Sequence, residues 1–148
     1  YIIGGKADST ERDRLVTRIK EQGLQNHVFL TGFVDYKELS DHFLMADCFV
    51  LPSKKEGFGI VFIESAACGC KVLAGNKDGS PDALLDGKLG TLIDPDDRRE
   101  VLSALTAILE NPNTKEDSMK IQTKCLEHFS YQAYKENVKS LLLQRKRI

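Results

Sequence analysis

No apolar run in the sequence approaches the roughly 20 residues needed to cross a bilayer. No secretory leader pattern is visible at the start, so the expected compartment is the cytoplasm. An excess of one charge is also missing, with 21 Lys and Arg against 22 Asp and Glu for a net charge of -1. That balance excludes a nucleic-acid binder driven by bulk charge, though not a local basic patch. Cysteine is scarce. Cys48 and Cys125 stand alone, and Cys68-Gly69-Cys70 is one tight pair with no companion. A structural zinc site needs two pairs at ligand spacing, so these four read as small buried hydrophobes in a reducing compartment. His27, His42 and His128 share no spacing with carboxylates or cysteines, and no metal site is expected. Internal repeats and low-complexity segments are lacking too.

What is present is a 148-residue chain, 41% hydrophobic and 29% charged. It has the composition of one globular domain, and a chain of this length buries roughly 68–70% of its unfolded surface. It opens on Tyr1-Ile2-Ile3-Gly4-Gly5, a strand running into a loop, which predicts a beginning inside a fold. Asp8-Ser9-Thr10-Glu11 has capping-box character, Leu15, Val16 and Ile19 form a stripe, and Gly23 supplies a stop. Val28-Phe29-Leu30 reads as a buried strand ended by Gly32. Leu39, Phe43 and Ala46 recur at helical spacing. Cys48-Phe49-Val50-Leu51 is a further buried strand, closed by Pro52.

Gly59–Cys68 is ambiguous, because Ile60-Val61-Phe62-Ile63 favours a strand by propensity. Strands on both sides need a crossover between them, which selects a helix. Lys71–Ala74 is then a strand, Pro81–Leu85 a short helix and Thr91–Ile93 the last strand. Asp94-Pro95-Asp96-Asp97 opens a helix with Pro at its first position, lined by Val101, Leu102, Leu105 and Leu109. Two more helices follow, roughly Lys115–His128 and Tyr131–Arg147. Tyr131, Tyr134 and Leu141–Leu143 read as helix packing, and Arg145-Lys146-Arg147 as a solvated basic tail. The fold class is α/β: a Rossmann-like parallel sheet with helices on both faces.

Ligands of such sheets bind outside the carboxyl ends of the strands. The loops there are Gly4–Lys6, Thr31–Asp35, Ser53–Gly59 and Gly75–Ser80, and each contains glycine. In the third, Gly57 and Gly59 permit close backbone approach and lead into a helix N-terminus that favours an anion. Glu56 precedes that point. Glu64 lies within the apolar helix, and either it binds a partner such as a ribose diol or it reaches solvent. Lys54 and Lys55 read as a solvated loop.

The run Ser53-x-x-Glu56-Gly57-Phe58-Gly59-Ile60-Val61-x-Ile63-Glu64-Ser65-Ala66-Ala67-x-Gly69 resembles the signature of the group 1 (family 4) retaining glycosyltransferases, whose hallmark is two glutamates separated by seven residues. The flanking runs Val28–Val34, Ala46–Ser53 and Gly87–Asp97 are similar to the family's text in the same order. The resemblance covers about residues 1–110. It implies the C-terminal, donor-binding half of the two-domain GT-B fold, with the first strand and the acceptor domain missing from the chain.

The resemblance also implies roles. Glu56 is the catalytic candidate, contacting donor sugar hydroxyls near the reacting carbon. Glu64 accepts hydrogen bonds from the donor ribose. Gly57, Phe58, Gly59, Ile60 and Val61 lie along the sugar and diphosphate, with backbone amides offered from Phe58 onward. Phe33 and Val34 border the base, with Asp35 beside them. Gly79 and Ser80 match a loop near the phosphates, where Asp82 replaces the family's usual Glu. The donor is a UDP-, GDP- or ADP-sugar, and no cofactor or metal is expected. The Arg and Lys that the family normally sets against the leaving diphosphate are not in this chain. The acceptor is a glycan, lipid or small molecule held by the missing domain. No nucleic-acid partner is expected, and peripheral contact with the cytoplasmic membrane face is a secondary expectation. The isolated chain is expected to fold without transferase turnover. The alternatives are a non-catalytic nucleotide-sugar-binding or interaction module and another GT-B enzyme such as a sugar epimerase. A phosphorylase would need a pyridoxal-phosphate lysine motif, and none is visible.

Overall fold

The computed structural model of the chain describes residues 1–5 and 8–144. Lys6 of the first loop and the Arg145-Lys146-Arg147 tail lie outside the described residues. The chain divides into two compact units, Tyr1–Leu39 and Ser40–Ile148.

The first unit holds β1 (Ile2–Gly4), α1 (Ser9–Glu21) and β2 (Phe29–Gly32). The strands pair in parallel, with Ile2 opposite Phe29 and Ile3 opposite Leu30. The Asp8 carboxylate caps α1 by accepting from the Thr10 and Glu11 amides at 2.9 and 3.3 Å. Glu11 does not complete a capping box. It pairs with Arg14 at 2.8 Å, one turn on. At the other end the Gly23 amide donates to Lys20 O and the Leu24 amide to Ile19 O, at 3.1 and 2.9 Å. These two bonds satisfy carbonyls the last turn would otherwise leave open. The reading of β2 as buried is corrected, since Phe29 is 54% exposed. Among the described residues its one ladder neighbour is β1, and a two-stranded ribbon of short strands cannot cover both its faces.

The boundary between the units falls within α2 (Tyr36–Met45). The second unit continues with β3 (Cys48–Leu51), α3 (Ile60–Ala67), β4 (Lys71–Gly75), α4 (Ser80–Ala83), β5 (Thr91–Ile93), α5 (Arg98–Glu110), α6 (Lys115–Phe129) and α7 (Tyr131–Gln144). Its three strands form a parallel sheet in the order β3-β4-β5. The expected α/β class with parallel strands holds, and among the described residues those strands pair in two ladders, of two and three strands. Strands this short make few ladder bonds each.

The ambiguous segment is α3. Its β-branched residues give way to topology, because parallel β3 and β4 require a crossover. α3 packs against α6 and β4. Phe62 and Ala66 of α3 join Val72 and Ala74 of β4, Leu84, Leu89 and Cys125 of α6 in one buried cluster. Leu73 points to the other face of β4 by strand alternation and is also fully buried, so this sheet is covered on both sides. α5 packs against β4 and β5.

Three helical readings change. Pro95 is not the first residue of α5. The Asp97 amide donates to Asp94 O at 3.1 Å, which makes Asp94–Asp97 a turn with Pro at its second position. Asp97 then caps α5 through the Arg99 and Glu100 amides. The inward stripe of α5 is Val101, Ala104, Leu105 and Ile108, each half-buried at helical spacing, whereas Leu102 and Leu109 are exposed. Tyr131, Tyr134 and Leu141–Leu143 of α7 are exposed rather than packed. α7 packs on α6, and a single helical neighbour covers only part of a helix's circumference.

Candidate functional site

The three strand-following loops of the second unit are bound to one another. Between Leu51 and Ile60 there is no regular structure, yet this loop is held by the one after β4. The Asp78 carboxylate accepts from the Glu56 amide at 2.8 Å, the Ser80 amide at 3.0 Å and the Ser80 hydroxyl at 2.7 Å. The Gly79 amide returns a bond to Glu56 O at 2.9 Å. Burial works against the Asp78 charge, but the Ser80 hydroxyl, the Glu56 and Ser80 amides and the Ser53 hydroxyl outweigh it and hold this carboxyl below its ordinary range. The third loop joins through charge. Lys77 bridges Asp94 at 2.6 Å and Asp96 at 3.0 Å, and Lys54 also binds Asp96. The Lys54 and Lys77 hydrogen bonds lower the Asp96 pKa, and the Lys77 hydrogen bond lowers that of Asp94. Lys54, read from sequence as merely solvated, therefore ties the loop after β3 to the loop after β5. Lys55 is exposed, in keeping with that reading.

Gly79 permits this closeness. A Cβ built there would stand 2.0 Å from the Gly57 carbonyl oxygen and 3.0 Å from the Phe58 nitrogen. Gly79→Ala is expected to force the two loops apart at about 1–3 kcal/mol, the usual cost of overpacking. Urea unfolding checks this, and a midpoint equal to wild type would mean the contact has room to relax.

Gly59 starts α3 in the left-handed region, φ +86°, and a Cβ on it would collide with the Phe62 ring at 2.3 Å. No side chain caps α3. Its first amides and dipole are left for an anion. Phe58 is 40% exposed and packs edge-on against Phe129 of α6, with centroids 6.3 Å apart, which anchors the loop without hiding it. Ile60 is exposed, and Val61 packs against the core. Glu64 lies one turn beyond Ile60 on the same face and is half-buried. Among the described residues, neither the Glu56 nor the Glu64 carboxylate has a hydrogen-bond or ion-pair partner. Two half-buried carboxylates thus flank an uncapped helix N-terminus.

The structure assembles Glu56, Gly57, Phe58, Gly59, Ile60, Val61, Glu64, Gly79 and Ser80 within the second unit. Ser80 is fully buried, and its hydroxyl is engaged by Asp78. Phe33 and Val34 belong to the first unit, where Phe33 is 77% exposed and Val34 half-buried beside Gly4. Asp35 accepts the Lys37 amide at 2.9 Å and starts α2. Sequence reasoning missed Asp78, Lys77 and Asp94. Their polar loops carried a signal only in the crowding of Asp and Lys after strand ends.

The four cysteines are free, with Cys70 and Cys125 buried. Burial, then the neighbouring Cys70, pushes the Cys48 thiol up to about 12. His27 and His128 are exposed and His42 half-buried. Among the described residues no group of three His, Cys, Asp or Glu is placed to hold a metal ion, and no helix is long and apolar enough to cross a membrane.

The family model described as "Glycosyl transferases group 1" matches residues 1–125. The chain belongs to this family. It is 35% identical over 118 residues to the GDP-mannose-dependent alpha-(1-6)-phosphatidylinositol monomannoside mannosyltransferase of Mycolicibacterium smegmatis, covering 75% of this chain and 30% of that protein. Among solved structures it is similar to the sucrose-phosphate synthase of Thermosynechococcus elongatus, with a TM-score of 0.79 and 26% identity over 99% of this chain and 38% of that one. The HepE protein of Anabaena, solved in complex with UDP, has a TM-score of 0.76 and 24% identity over 97% of this chain and 40% of that one. This group 1 glycosyltransferase chain spans about a third of the length of the curated relatives it matches. Its parallel sheets and helices match GT-B glycosyltransferases.

Proposed function

We propose that this chain binds the donor of a retaining hexosyltransferase and presents a nucleoside-diphosphate sugar for transfer to an acceptor. The observation that carries the reading is the pair of unpartnered carboxylates, Glu56 and Glu64, on either side of the uncapped N-terminus of α3. A nucleoside diphosphate sugar offers a matching sequence of groups. The diphosphate meets the α3 amides and dipole, the ribose diol donates to Glu64, and the sugar hydroxyls reach Glu56.

Transfer breaks the bond between the anomeric carbon and the diphosphate. Negative charge grows on the departing diphosphate while the sugar becomes oxocarbenium-like. Amides already fixed at the α3 N-terminus stabilise the first change without reorganising, and a carboxylate at Glu56 stabilises the second. In this reading the acceptor attacks from the face the diphosphate leaves, no metal takes part, and the work is done in the cytoplasm. A GDP-mannose-dependent phosphatidylinositol monomannoside mannosyltransferase and a 2-deoxystreptamine N-acetyl-D-glucosaminyltransferase among the relatives, and HepE in complex with UDP, support a UDP- or GDP-linked donor and a lipid-linked or small polar acceptor.

Glu64→Gln in the full-length protein tests the ribose contact. Losing a charge-assisted hydrogen bond costs about 1.5–3 kcal/mol, or roughly 10–100-fold in donor affinity by calorimetry. A folded variant with unchanged affinity for both UDP and GDP would remove Glu64 from the site.

A further inference from the structure

The two oxygens of Asp78 do different work. Oδ1 accepts both the amide and the hydroxyl of Ser80, at 3.0 and 2.7 Å, while Oδ2 accepts the Glu56 amide at 2.8 Å. With the Gly79 amide on Glu56 O at 2.9 Å, Glu56 is clamped at both its N–H and its C=O by the neighbouring loop. Neither clamp uses the Glu56 side chain. After Glu56 the Phe58 ring is anchored on Phe129, but Gly57 and Gly59 on either side of it leave the main chain there unconstrained by side chains of its own, and regular structure resumes only at Ile60. The direction in which the Glu56 carboxylate leaves the main chain is thus set from the loop after β4.

We propose that Asp78 is a positioning residue whose Oδ2 fixes the Glu56 main chain and so aims the Glu56 carboxylate at the donor sugar. This rests on the role given to Glu56 above. An aspartate suits the task because one side chain accepts three hydrogen bonds at once from Glu56 and Ser80, which lie 22 and two positions away in the chain, with the Ser53 hydroxyl beside them. Asparagine cannot do so. Keeping its oxygen on Ser80 preserves two bonds and turns its NH2 toward the Glu56 N–H, donor against donor. Asp78→Asn therefore releases Glu56 while sparing the Ser80 anchor.

The test measures release of nucleoside diphosphate from UDP-glucose, GDP-mannose and ADP-glucose, with water taking the sugar, by full-length wild type, D78N, E56Q and the double variant. D78N is expected to lower kcat by about 10–100-fold, the scale of a misplaced catalytic group, with donor KM little changed. The double variant should turn over no more slowly than E56Q alone, because Asp78 acts through Glu56. Hydrogen exchange reads the first link without turnover: in D78N, residues 54–58 should exchange faster while α6 keeps its protection. Should D78N fail to fold, D78E keeps the charge but moves the oxygens by one methylene, and it should show the same kcat loss.

A wild-type kcat in D78N beside an impaired E56Q overturns the proposal and leaves Glu56 standing. Losses that multiply in the double variant, or unchanged exchange in 54–58, do the same. A wild-type rate in E56Q, or no release from any donor by the wild type, overturns the reading of Glu56 and this proposal with it.

Discussion

Glu56→Gln is expected to reduce turnover about 10²–10³-fold, the usual cost of removing one contact made mainly in the transition state. Gln matches Glu in size, so the backbone clamps from Asp78 and Gly79 remain in place. What changes is charge. An amide still hydrogen-bonds a sugar hydroxyl in the ground state, but it answers the developing positive charge on the sugar far less well than a carboxylate. The loss should fall on kcat and on kcat/KM equally, with donor affinity moving less than tenfold. Calorimetry with UDP and GDP alongside steady-state kinetics separates the two. An equal loss in nucleotide affinity would place Glu56 at the nucleotide end of the donor.

The contrast between Glu56 and Asp78 shows how far this site was legible in the sequence. Glu56, the two glycines and Glu64 lie within a dozen residues of one another, so a loop, a helix start and two carboxylates could be read together from local order. The helix itself needed a topological argument, because Ile60-Val61-Phe62-Ile63 has strand propensity and only the parallel pairing of β3 with β4 overrides it. Asp78 left no such trace. Its function is a contact between two irregular loops 22 residues apart, and no period or motif reports which loop will lie on which. The Lys77, Asp94 and Asp96 bridges were hidden for the same reason. Pro95 misled because proline suits both the first turn of a helix and the second position of a type I turn. On α7, apolar residues gave a face but not its cover, and the leucines at 141–143 stand exposed.

Phe62→Ala should produce the largest loss of stability, about 3–5 kcal/mol, as is usual when a buried aromatic is truncated to Ala. Phe62 has no exposed surface, lies in the central cluster and stacks at a tilt against Phe49 with centroids 6.0 Å apart. Its surroundings can collapse only partly. β4 is held by ladders on both sides, and α6 is fixed through Cys125 and Ile121 in the same cluster. The ring also fills the space a Cβ on Gly59 would need, so removing it loosens the start of α3 where the donor diphosphate is proposed to bind. Stability and function are therefore coupled at this residue. Urea unfolding should show a lowered midpoint at unchanged slope, and at concentrations where the variant is still folded its donor affinity should fall as well. Phe62→Leu, which keeps most of the volume, should lose much less of both. If the Ala variant lost stability while folded protein kept full donor affinity, the α3 N-terminus would be held by Gly59 and its loop alone.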